Sequence, residues 1–210
     1  MIDTPDSFRQ LFANQGIVDV AAADHAYADL SERYGELHRA YHTLPHVHAM
    51  LRLLDGRPFD ADDQNALKWA IWYHDAVYDP QASDNEERSA DLFADVAGAT
   101  RMPAEFADRV RRLILVTKTH MPETQDERVM VDLDLAILGE EVVQFDTYEA
   151  AIRYEYSHVP DGQFAAGRTK VLLSFLERPR IYSSPLMDDY EARARVNLVR
   201  SIAHWNVPQR

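Results

Sequence analysis

The sequence predicts an all-α fold, a single-domain helical bundle, on three observations. Apolar residues recur at spacings of three and four along most of the chain, strand-like alternation is scarce, and glycine is rare, with seven in 210 residues. The pattern divides into roughly nine helices joined by short loops. The first covers about Ser7 to Ala13 and the second about Val18 to Tyr34. Pro45, suited to a first helical turn, opens another that ends near Asp55-Gly56. Asp60 or Asp62 starts the next, which continues to about Tyr78. Asp84 caps a helix through about Val96, and Pro103 opens one that reaches Lys118. After a loop at Pro122 a short helix runs through Asp134 to Gly139. Two long helices follow, near Glu141–Tyr156 and Asp161–Leu176. Pro179 breaks the chain before a last helix from about Pro185 to His204. No linker, repeat or low-complexity segment interrupts this pattern. One domain over 1–210 is therefore expected, with a core over about 30–140 and the helices of 141–206 packed on it.

Composition narrows the function. A net charge of −13 opposes nucleic-acid backbones and anionic membranes, and no run of Lys and Arg offsets it locally. The absence of cysteine excludes disulfides, thiolate nucleophiles and Cys-based metal sites. No apolar stretch reaches the roughly 18 residues of a membrane span, and Met1–Asp6 lacks a signal-peptide pattern. A cytoplasmic protein with a small-molecule partner is the expectation; oligomeric state is open.

Chemistry shows where a polar residue replaces an apolar one. Leu67, Ile71, His74, Asp75 and Tyr78 share one helical stripe, so His74 and Asp75 point inward. A buried carboxylate needs a partner, and a metal ion is one. In Val131-Asp132-Leu133-Asp134-Leu135-Ala136-Ile137-Leu138, at least one Asp is expected to be buried. Phe106, Val110, Leu113, Thr117 and His120 follow another face, with His120 at the helix end. Arg168 shares a stripe with Phe164, Val171, Leu172 and Phe175, and its planar donor fork suits phosphate or carboxylate. His42, His46 and His48 crowd one helix start. Each feature alone has a structural alternative: a hydrogen-bonded core His, a His74–Asp75 ion pair, an Asp132 or Asp134 cap, an Arg168 salt bridge. Jointly they offer N and O ligands of the kind that suit a divalent ion.

The order His46, His74-Asp75, Asp134 on separate helices resembles the HD superfamily of metal-dependent phosphohydrolases, specifically a bacterial branch of predicted phosphohydrolases of about this length. The stretches that carry the resemblance are Tyr-His-Thr-Leu-Pro-His (41–46), Trp-Tyr-His-Asp-Ala-Val-Tyr-Asp-Pro (72–80), Asn-Glu-Glu-Arg-Ser-Ala (85–90), Thr-Lys-Thr-His (117–120), Asp-Leu-Asp-Leu-Ala-Ile-Leu-Gly (132–139) and Gly-Arg (167–168). They extend over about residues 30–200. The resemblance implies an HD-domain bundle whose divalent ion (Mn, Mg, Co, Fe, Ni or Zn) is held by His46, His74, Asp75 and Asp134. It implies hydrolysis of a phosphate ester or phosphoanhydride of a small, nucleotide-like substrate by a metal-activated water. Related cyclic-nucleotide phosphodiesterases carry Tyr-His-Asn-x-x-His, which makes His42 the general acid; this chain has Thr43 in the Asn position. Glu86 is a candidate for orienting the water, His120 for a second metal or the phosphate, and Arg168 and Lys118 for holding phosphate. Two other readings use the same scaffold: a dinuclear iron oxygenase, which needs about two more His ligands, and a non-catalytic nucleotide sensor.

Overall fold

The computed structural model describes residues 5–206. The described residues are all-α, with ten α-helices, two short 3-10 helices and no strand. They form two compact units, Met1–Val131 and Asp132–Arg210. The boundary falls inside a helix, where no composition shift signals it.

In the first unit the helices are α1 (Pro5–Asn14), α2 (Val20–Tyr34), α3 (Leu44–Gly56), α4 (Gln64–Tyr73), α5 (Asn85–Ala99), α6 (Ala104–Thr119) and the start of α7 (Gln125–Asp134). Its centre is α4, which packs against α1, α3, α5 and α6. The reason is compositional: Ala66, Leu67, Trp69, Ala70, Ile71, Trp72 and Tyr73 are all buried, so α4 is apolar over most of its circumference and is packed on several sides. Phe8 sits edge-on to Trp72 at 5.0 Å and Phe12 lies 4.8 Å from Trp69, which seats α1 on this core. The start of α4 is fixed twice. Asp63 accepts a hydrogen bond from Ala66 N at 3.0 Å as N-cap. Asp126 of α7 accepts from the backbone N–H of Asp62 at 2.7 Å and of Asp63 at 3.2 Å.

The end of α4 corrects the sequence reading. The helix stops at Tyr73 rather than continuing to Tyr78, and His74 is its C-cap, still in helical geometry. Asp75 therefore lies past the last turn, in a non-helical segment running to α5. Ser89 of α5 holds that segment, accepting from Val77 N at 3.0 Å and donating to Val77 O at 3.3 Å. Asn85 does the same for Asp79, at 3.0 and 2.9 Å.

The second unit contains the end of α7, a 3-10 helix at Leu135–Gly139, α8 (Val142–Glu155), α9 (Asp161–Leu176), a 3-10 turn at Pro185–Met187 and α10 (Asp188–Trp205). Here α10 is central, packing against α9 and both 3-10 segments. Gly139 is required by close approach: a Cβ there would lie 2.6 Å from the Tyr190 carbonyl oxygen. Asn197 donates to the Leu138 and Glu140 carbonyls at 2.9 Å, satisfying the end of that 3-10 helix.

Candidate metal centre

Among the described residues, three side chains that suit a metal ion converge: His46, His74 and Asp75, with one ligand atom from each lying within 4.8 Å of the others. His46 comes from the first turn of α3, and His74-Asp75 from the end of α4. His46 Nε2 and His74 Nε2 are 3.2 Å apart. Asp75 Oδ2 is 3.0 Å from His74 Nε2 and 3.8 Å from His46 Nε2. Two ligands on adjacent positions of an ion with bonds of ~2.0–2.1 Å are separated by about 2.9–3.4 Å, so two of the three spacings match directly.

The tautomers sharpen this geometry. His74 Nδ1 lies 3.0 Å from the Ile71 carbonyl oxygen, which can only accept, so Nδ1 carries the proton. In a neutral ring Nε2 is then a bare lone pair aimed at a carboxylate oxygen and at the second imidazole. His46 Nδ1 is 3.0 Å from the Tyr41 hydroxyl. Both far-side contacts orient the rings in the manner of the outer hydrogen bonds of metal-binding histidines. His46 and His74 are buried, and the Asp75 side chain is 18% exposed. Acceptors that converge with so little water need a cation or a proton between them. Burial pushes the Asp75 carboxyl up, but His74 foremost, then His42 and His46, bring it well below the ordinary carboxylate range. Asp75 is thus an anion, ready either to bind a metal or to pair with a protonated His74.

The other expected residues are placed as follows. His42 is half-buried, its ring stacked on Tyr78 at 4.1 Å and 6.5 Å from the His46 ring centroid. Glu86 lies in the first turn of α5, where its charge adds to the larger effect of Glu87 in raising the Lys118 pKa. Lys118 Nζ donates to Glu87 at 2.5 Å and to the Ser83 carbonyl at 2.7 Å. His120 caps the end of α6 in left-handed geometry, φ 50°, and lies outside the converging group. Such backbone is uncommon for a residue other than glycine.

The remaining expected residues belong to the second unit. Asp134 ends α7, half-buried, and its charge adds a small part to the rise that burial gives the Tyr148 phenol. Asp132 is the fully buried member of the Asp pair. It accepts from the Ser183 and Ser184 backbone N–H groups, each at 2.7 Å, so it holds the turn before Pro185 rather than the 3-10 helix that follows it in sequence. Arg168 lies on the interior stripe as expected, where Nε and Nη2 both donate to Glu149 Oε1 and the guanidinium covers the Tyr148 ring at 5.0 Å. Glu149 Oε2 accepts from Ser201 at 2.6 Å and Trp205 Nε1 at 2.9 Å. A groove of about 530 Å³ between α8 and α10 opens beside this pair, with Arg153, Arg200 and Asp146 on its walls. Those charges are themselves paired, Arg200 with Asp146 and Arg153 with Asp161.

The sequence reading places Tyr41, Asn85 and Ser89 in its motif stretches without giving them a role, and does not single out Arg39; all four hold the ligand-bearing segments. Comparison with models of known families, with curated proteins and with solved structures finds no match.

Proposed function

We propose that the chain is a metal-dependent phosphohydrolase of the HD type acting on a small phosphorylated substrate. The observation that carries the proposal is the convergence of His46 Nε2, His74 Nε2 and Asp75 Oδ2, with the His74 proton turned away toward Ile71. These three atoms would hold a divalent ion, and Asp134 enters as fourth ligand from the sequence resemblance alone. The donor set of two imidazoles and carboxylate suits Mn, Co, Fe, Ni or Zn and admits Mg. When bound, such an ion lowers the pKa of a coordinated water and polarises a phosphoryl oxygen.

The chain's own groups supply the rest. His42, beside the three converging residues and stacked on Tyr78, is the candidate proton donor to the leaving oxygen. Glu86 is the candidate for orienting the attacking water. Lys118, about one-third exposed, has a mobile ammonium that can exchange Glu87 for a phosphate oxygen. Arg168 would have to leave a buried ion pair to do the same, so Lys118 is the better candidate. Substrate class rests on the sequence resemblance, and the net charge of −13 favours a small ligand over nucleic acid.

The test is elemental analysis of the purified protein beside the His74→Ala/Asp75→Ala double variant, with a generic phosphodiester and a nucleotide panel assayed on both. About one metal per chain and hydrolysis, both lost in the variant, is the expected result. A wild-type chain that takes up no divalent ion when supplied would leave His74 and Asp75 as a buried ion pair and end the proposal.

A further inference from the structure

We propose that Arg39 is a positioning residue that sets the His46 ligand against the His74-Asp75 ligands. The inference rests on the metal-centre reading above. The Arg39 side chain is completely buried, although the residue precedes α3 in a loop where an arginine would ordinarily reach solvent. Its guanidinium lies between the Tyr34 and Tyr78 rings, 5.2 and 5.5 Å from their centroids. Three of its hydrogen bonds go to backbone carbonyls: Nη1 donates to Asp75 O at 2.6 Å and His42 O at 3.1 Å, and Nη2 to Ala76 O at 3.0 Å. Nε donates to Glu36 at 2.9 Å.

Those carbonyls belong to the two segments that must meet. One precedes α3 and carries His42 and, a turn later, His46. The other is the unwound end of α4, where carbonyls have no helical partner and carry the negative end of the helix dipole. The Tyr34 hydroxyl donates to Trp72 O at 3.0 Å beside it, completing a cap built from α2 and the loop after it. A planar fork with several donors can hold both segments at once; a lysine ammonium cannot match that spread. Arg39 thus fixes the separation of His46 and His74 without touching either ring.

The experiment uses the full chain in three forms, Arg39→Lys, Arg39→Gln and Glu36→Gln, titrated with Co²⁺ and followed by its visible absorption. Metal-free samples are checked by NMR for a nuclear Overhauser contact between the His46 and His74 rings, whose centroids are 5.3 Å apart. Arg39→Lys is expected to stay folded, bind Co²⁺ at least tenfold more weakly with an altered band shape, and lose the ring contact. Glu36→Gln, which removes only the outer ion pair, is expected to keep Co²⁺ affinity within twofold. Should Arg39→Gln fail to fold, Arg39→Lys is judged alone by the same readouts. If it melts earlier yet binds Co²⁺ within twofold and keeps the ring contact, Arg39 is merely structural and the proposal is overturned. If the wild-type chain binds no Co²⁺, the metal reading fails separately. The ring contact then decides on Arg39: lost in Arg39→Lys supports the positioning role, and kept overturns it.

Discussion

The His46–His74–Asp75 group of the first unit and the Glu149–Arg168 group of the second arise from the same sequence signal, a polar side chain on an apolar helical face. Their hydrogen bonding differs in kind. Around Glu149 every contact is complementary: Arg168, Ser201 and Trp205 donate and the carboxylate accepts. Around His74 the Nδ1 proton is spent on Ile71, so a neutral His74 turns only a lone pair toward the Asp75 carboxylate. The first arrangement is closed and stabilises the fold; the second is open and could hold a cation. The periodicity that exposes both sites cannot distinguish them, because the distinction lies in which way the protons point.

The largest effect should come from opening the closed group. Glu149→Gln leaves Arg168 buried beside a neutral amide, and removing one partner of a buried pair costs about 3–5 kcal/mol. Both side chains are about one-tenth exposed, so water offers little compensation. Urea denaturation should show that loss with no change in metal content. A loss below about 1 kcal/mol would mean that the pair is solvated in solution and that Arg168 is available to a ligand after all.

The converse holds for the open group. Addition of Mn²⁺ or Zn²⁺ at about a hundredfold excess over Kd should stabilise the wild type by about 2.7 kcal/mol, reversibly on chelation. Asp75→Asn should abolish most of that gain. An equal gain in Asp75→Asn would place the ion elsewhere.

Much of the fold was legible from the sequence because helical periodicity reports burial directly. α9 was read at its observed bounds, and the interior placement of Arg168 and His74 followed from their stripes. Where reading failed, long-range contacts had overridden the local pattern. The stripe through Tyr78 implied a longer α4, but Tyr34, Arg39 and Ser89 capture the carbonyls and N–H groups that would have continued it. Asp132 and Asp134 alternate in one apolar run, and nothing local says that Ser183 and Ser184, some fifty residues on, claim the first. Arg39 carried no signal, since a loop arginine becomes visible as a clamp only when its carbonyl partners are known.

Two buried carboxylates of the second unit sharpen the contrast through pH. Burial pushes Asp132 up to about 6 against the pull of its two N–H donors. Burial also opposes Glu149, but Arg168 and then the Ser201 and Trp205 hydrogen bonds overcome it and hold its carboxyl below the ordinary range. A raised folded pKa means that the native state binds the extra proton between about pH 4 and 6, so the Asp132 contribution falls as pH rises through that window. Glu149 acts in the opposite sense: its contribution is present above the unfolded glutamate value and is lost as pH falls through the folded one. The stability of wild type minus Asp132→Asn should therefore increase by on the order of 2 kcal/mol from pH 6.5 to 4. For wild type minus Glu149→Gln the difference should decrease at the acid end. Parallel slopes would show that Asp132 is less desolvated than its buried position implies.

The smallest expected effect on stability, Lys118→Met, is the most informative about function. Lys118 and Glu87 are each more than one-third exposed, and an exposed ion pair contributes little because water screens it and two long side chains must be held still. Its removal should leave the denaturation midpoint and metal content unchanged within error. Arg168 offers no such clean probe, since its loss would damage the fold and any ligand site together. With the fold intact, a large fall in kcat/KM for a phosphorylated substrate can only report a contact made by the ammonium with that substrate or with the groups around it. Lys118→Arg, which keeps the charge, should then recover part of the rate. If Lys118→Met turns over like wild type, the phosphate is held by other groups, and the Lys118–Glu87 pair returns to being a link between α5 and α6.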